Sequence, residues 1–144
     1  MRYPLDELLD KRSIVLLKIE RIKDDDLKER LWKEFSDYTV AIWEYIKEGV
    51  CTIQQVEEWH RELYESNGAT WDLESGIRKG QIGDMSLEDV GRTAMKIRES
   101  NGIRVAIKSK IVEIVGVGYK DIKINHASIE SYKEYEKKNY NQKT

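Results

Sequence analysis

The sequence predicts an all-α fold: a helical bundle of three to four long amphipathic helices in antiparallel hairpins, with a short C-terminal appendage. Three observations point there. Apolar residues recur at spacings of three and four along most of the chain. One proline and nine glycines in 144 residues are few for a turn-rich sheet protein. Charged residues make up 36% against 40% hydrophobic, a load that suits helices with solvated outer faces.

The first helical stretch spans 5–48. Pro4 suits a first turn, and Asp6 and Glu7 complement its positive end. Leu5, Leu8, Leu9, Leu16, Ile19 and Ile22 then recur at helical spacing, with Arg12 inside the arc and Ser13, Leu17 and Glu20 along one edge. Asp24-Asp-Asp26 breaks the helix or caps a second one. Leu27, Leu31, Phe35, Tyr38, Ile42 and Ile46 carry the stripe on, Trp32 and Trp43 widen it, and Gly49 ends it as a C′ residue. Thr52-Ile-Gln-Gln55 is a capping box that opens a helix over 53–79. Asn67-Gly68 is also a turn signal, but the apolar phase is unbroken across it, so the helix is expected to run through. Ser86 caps a further helix over 87–115, ended by Gly116. Gly91 and Gly102 inside it suggest tight helix contacts. The segment 116–144 reads as an extended stretch, with Ile122 and Ile124 alternating about Lys123, followed by a short terminal helix docked by Tyr132, Tyr135 and Tyr140. No repeat or linker divides the chain, so it is one domain, 1–144.

The stretch 53–79 is the expected centre. At about 100° per residue, Ile53, Val56, Leu63 and Trp71 share an apolar face with His60, Asn67, Glu74 and Arg78 in its middle. A core stripe carries polar groups only if they satisfy one another or face a site. The helix 87–115 repeats the pattern: Val90, Ala94, Ile97, Val105, Val112 and Val115 form a stripe around Asn101 and Lys108. The candidate polar core is therefore Ser13, Glu20, Asn67, Glu74, Arg78, Arg98, Asn101, Arg104 and Lys108, with Trp71 as a wall. Counting back from a turn at 79–85 sets Asn67 and Glu74 near Arg98 and Asn101, and Lys108 nearer His60. Such a cluster is either a structural network fixing helix register, or a site for a small anionic or hydroxylated ligand, gripped by arginine forks and amides.

Other chemistries fit less well. Glu57-x-x-His60 is half of a di-iron bundle motif, without the second half, so no metal and no cofactor are expected and His60 reads as a satisfied core residue. Net charge is −2 with signs interleaved, which excludes a basic nucleic-acid stripe. No apolar run is long enough for a membrane span. Cys51 is the single cysteine, so no internal disulfide forms. A soluble cytoplasmic protein is expected. The broad stripe around Trp32, Phe35, Trp43 and Ile46 points to a homodimer.

The opening run Leu8-Leu-Asp-Lys-Arg-Ser-Ile-Val-Leu-Leu-Lys-Ile-Glu-Arg-Ile22 resembles a family of uncharacterised helical proteins whose members begin LLDKxSIxxLKxERI. Asn67…Trp71-Asp-Leu-Glu74…Ile77-Arg78 and Arg98…Asn101…Arg104…Lys108 resemble it again, in the same order. The chain departs from it in a longer middle segment, 37–52. The resemblance implies a helical domain from bacteria or marine phages, sometimes near surface-polysaccharide genes, and brings no catalytic residues. The expectation is a non-enzymatic bundle. The alternative is a metal-free helical enzyme of the chorismate-mutase type, loosely similar in its first helix, which holds a dianionic substrate among arginines, lysines and a glutamate.

Overall fold

A computed structural model describes residues 2–82 and 85–142, with side chains described outside 80–82 and 123–142. The described residues form four helices and no strand: α1 (Leu5–Arg21), α2 (Asp25–Lys47), α3 (Ile53–Ile82) and α4 (Leu87–Gln142). Their boundaries follow local chemistry. Asp24 caps α2 by accepting the Leu27 N–H at 3.2 Å. Gly49 follows α2 with φ +79°, the left-handed value that favours glycine at a helix end. At α3 the Thr52 N–H donates to Gln55 Oε1 at 2.9 Å and the Gln55 N–H to Thr52 Oγ1 at 3.1 Å. This closes the expected capping box. Ser86 accepts the Asp89 N–H at 3.1 Å and starts α4.

Cross-helix contacts fix the directions. Arg12 meets His60, Ser13 meets Asn67 and Arg21 meets Asp72, so α1 and α3 run parallel. Glu62 pairs with Lys110 and Thr70 with Ser100, so α4 returns antiparallel along α3. The bundle is up-down-up-down, and α3 continues through Asn67-Gly68 without a turn. At Gly68 α1 packs directly on α3: a Cβ there would touch Leu17 and Arg21 at 3.5 Å.

The centre is α1, not α3. It packs against all three other helices, and its buried residues cover roughly 220° of its circumference at about 100° per residue. Leu5, Leu8 and Leu9 meet Ile42, Tyr45, Trp59 and Leu63 in the main core, closed by Ile111 and Val115 of α4. Each fully buried aliphatic side chain contributes about 1.5–3 kcal/mol. A smaller cluster joins Val15, Ile19 and Leu31.

α4 differs most from expectation. It does not stop at Gly116; the stretch read as extended is helix through Gln142, about 84 Å in all at 1.5 Å per residue. The tail tyrosine side chains lie outside the described ones. Gly118 is a contact glycine: a Cβ on it would sit well inside contact distance of the Val50 carbonyl, so its bare backbone lets α4 cross the turn at Gly49 and Val50. Gly91 and Gly102, in contrast, have nothing within 4 Å of a built Cβ, so they mark no tight packing. The inner face of α4 holds Ser100, Ile111 and Val115, while Val105 and Val112 are 60% and 55% exposed. Apolar residues nearly encircle this helix, and periodicity alone misplaced its inward face.

The two glycines one turn-fraction apart should respond oppositely to alanine. Gly116→Ala, with open space around its Cβ, should raise stability by about 0.5–1 kcal/mol through helix propensity. Gly118→Ala should lower it by roughly 1–3 kcal/mol, because backbone must move. Urea midpoints of the two variants check this.

Candidate functional site

The polar core is real, but a residue absent from the sequence-derived set is its hub. Asp10 lies on α1 among Leu8, Leu9 and Ser13, with its side chain 2% exposed. Its Oδ1 accepts from Asn67 Nδ2 at 2.9 Å and from Arg104 Nε at 2.9 Å. Its Oδ2 accepts from Arg104 Nη2, and the Lys108 ammonium stands 3.8 Å away. The second proton of the Asn67 amide goes to Ser13 Oγ at 2.9 Å, and Ser13 donates to the Asp10 carbonyl at 2.7 Å. Lys108 is held by Glu7 at 2.6 Å. Three helices thus meet at one carboxylate. Burial by itself would raise the Asp10 pKa. The hydrogen bonds of Arg104 and Asn67, with the charges of Arg104 and Lys108, outweigh it and hold the carboxyl below its ordinary value.

Of the residues expected here, Ser13, Asn67, Arg104 and Lys108 are brought together. The other six are not. Glu20 is exposed and accepts the Tyr64 hydroxyl at 2.6 Å. Trp71 lies under the Arg21 guanidinium, 5.5 Å from its ring centre. Glu74 and Arg78 are exposed and border a shallow groove with Ile77 and Ile97. Arg98 and Asn101 are exposed as well. For Glu74 and Arg78 the reason is length. α1 ends at Arg21, opposite Asp72. Beyond that level α3 and α4 have no third helix to face, so polar residues in phase with the core reach solvent. The antiparallel register itself was read within a turn, as the Thr70–Ser100 pair shows; Lys108 turns to α1 rather than to His60.

Asp10 and Glu7 were legible in principle. Asp10 stands three residues before Ser13, on the same side of α1 as Leu17. An acid inside a leucine-rich stripe is the signal for a buried ion pair.

A second, half-buried polar group joins α1, α2 and α3. Arg12 donates from Nε to His60 Nδ1 at 3.2 Å and from Nη1 to Thr39 Oγ1 at 3.2 Å. The Phe35 ring stands edge-on to His60 at 6.5 Å, and Tyr64 stacks on it at 6.4 Å. An Nδ1 that accepts a hydrogen bond from a guanidinium carries its lone pair, so the imidazole is neutral. Burial and then the Arg12 charge push the His60 pKa down to about 4. Burial also pushes the Cys51 thiol up, which suits a small apolar residue rather than a nucleophile. Among the described residues, no group of three or more His, Cys, Asp or Glu is placed to hold a metal ion, and no helix is long and apolar enough to cross a membrane.

Comparison with known proteins finds no matching family model, no matching curated protein and no matching solved structure. The geometry of the site is therefore what bears on function.

Two outcomes separate the buried lock from the exposed face. Asp10→Ala leaves Arg104 and Asn67 without their acceptor and should cost roughly 3 kcal/mol or more. Glu74→Gln should stay within about 0.5 kcal/mol of the parent; both are read by thermal or urea unfolding. The histidine sets an acid limit. Its folded pKa lies below its unfolded value of 6.5, so its contribution is complete above pH 6.5. That contribution is lost as pH falls toward about 4, up to roughly 3 kcal/mol in total. Stability measured across this window should decline, and His60→Gln should flatten the decline.

Proposed function

We propose that this protein is a non-enzymatic helical-bundle protein, an accessory or assembly component, whose polar core is a structural lock rather than a ligand site. The observation that carries the reading is the saturation of Asp10. Its carboxylate is 2% exposed and already receives Asn67 and Arg104, with Lys108 beside it. An anionic ligand would need Arg104 and Lys108, and both are engaged by Asp10 and Glu7. The same arrangement argues against the chorismate-mutase type of chemistry, which needs cations aimed into an open pocket. The resemblance of 8–22 to helical proteins of bacteria and phages supports an accessory role in such a cell, with the cytoplasm as its expected place.

An assembly role needs a surface, and α2 offers one. Trp32 and Trp43 are eleven positions apart, so they stand within about 20° of each other around the helix axis. They are 51% and 42% exposed, with Val40 beside them at 61%. Phe35 and Ile46 turn inward against the core, so the outward strip is narrower than the whole apolar stripe. Two exposed tryptophans on one helix face fit a homodimer contact.

Sedimentation equilibrium tests this. The parent chain should run at twice its 17.0 kDa mass at micromolar concentration, and a Trp32→Glu/Trp43→Glu variant should run as a monomer with an unchanged helical circular-dichroism spectrum. A parent that stays monomeric refutes the dimer. A dicarboxylate such as succinate that raises the melting temperature saturably, and loses the effect in Arg104→Met, refutes the structural lock.

A further inference from the structure

The seam between α1 and α4 stays open on the side away from α3. A cleft of about 260 Å³ lies there, walled by Leu5, Tyr45, Ile111, Val112 and Val115, with Tyr119 at one end. A second groove of about 330 Å³ continues along α4 past Val105 and Ser109. Asp6 and Val112 line both, so one carboxylate stands where the apolar cleft meets a groove also lined by Lys108, Ser109 and Glu113.

Asp6 is anomalous in its surroundings. The residue is only 8% exposed. Among the described residues its carboxylate has neither an ion pair nor a side-chain hydrogen bond; the neighbouring ammonium of Lys108 is engaged by Glu7 and Asp10. Amide groups of the first turn of α1 give it partial support. Burial, then the charge of Glu7, raise its pKa, and Lys108 only moderates the rise.

The charge count along the seam explains why. Three carboxylates, Asp6, Glu7 and Asp10, face two cations, Arg104 and Lys108. Arg104 forks Asp10, and Lys108 bonds Glu7 at 2.6 Å. Arg2, the cation at the Tyr45 end, is held by both oxygens of Glu48 at 2.7 and 2.6 Å. Asp6 is the charge left over, and Glu113 adds another acid along the second groove. A largely buried residue whose carboxylate has no direct counter-ion at the mouth of an apolar cleft gains from a cation that arrives from solvent.

We propose that this cleft is a binding site for a small organic amine. The apolar body of the ligand packs on Leu5, Tyr45, Val112 and Val115, and its ammonium pairs with the Asp6 carboxylate. A cation there completes the charge balance of the seam and leaves the Asp10 lock untouched. An anion, the ligand type expected for the polar core, is repelled by the same carboxylates. The site is separate from the structural lock and from the α2 face, so its failure would leave both of those readings standing.

Titration of the full chain, followed by amide NMR shifts, tests the site with three probes of one shape: tryptamine, its neutral alcohol tryptophol, and the anion indole-3-propionate. Tryptamine should saturate with a Kd below about 1 mM, and tryptophol should bind at least about tenfold more weakly. Asp6→Asn should erase the difference between the two without lowering the melting temperature. Gly116 lines the cleft, and a Cβ on it meets nothing within 4 Å. Gly116→Leu should therefore fill the cleft on an intact helix and weaken tryptamine at least about tenfold. Equal binding of amine and alcohol to the parent, no saturable binding of tryptamine, or undiminished tryptamine binding in both variants overturns the proposal.

Discussion

One carboxylate sets the arrangement of the bundle. Asp10 gives up water to sit between α1, α3 and α4, a transfer that costs several kcal/mol unless good hydrogen bonds replace the solvent. Arg104 and Asn67 supply them from two different helices. That requirement is directional in a way that leucine packing is not. Sliding α4 by one residue would rotate Arg104 by about 100° away from Asp10 and leave both charges unpaired. Apolar side chains nearly encircle α4, so hydrophobic burial alone would accept several rotations of it. The ion pair accepts one.

The length of α1 then decides what happens elsewhere. It is 17 residues against 30 in α3 and 56 in α4. Where α1 is present, polar residues in the stripe of α3 are drawn into a network. Where α1 has ended, beyond Asp72, the same stripe carries Glu74 and Arg78 into solvent. The difference between a buried site and a charged surface is therefore set by a third helix stopping, not by any change in the pattern of α3.

A polar core whose cations are paired internally moves the search for function to the surface. The interior cations are engaged internally, which leaves two features with unbalanced chemistry. One is the tryptophan strip on α2, with apolar area in water. The other is Asp6, with charge inside an apolar seam. Each is a place where the isolated chain is not fully satisfied and where association would relieve the imbalance.

Periodicity, caps and composition by themselves determined the helical class, the α1–α2 break at Asp24, the capping box at Thr52, the passage of α3 through Gly68 and the antiparallel register of α3 with α4. These depend on interactions within a few residues, or on a turn of known length, and such interactions are written in local spacing. The polar identities of Ser13, Asn67, Arg104 and Lys108 were legible for the same reason. Only the tertiary structure decided that α1 is the centre, that Asp10 is the hub and that α4 runs on past Gly116, with Gly118 at a close contact. It alone left Glu20, Trp71, Glu74, Arg78, Arg98 and Asn101 out of the cluster. Each of those outcomes depends on which helix lies opposite, and a helix stripe records that a face is apolar without recording where its partner ends.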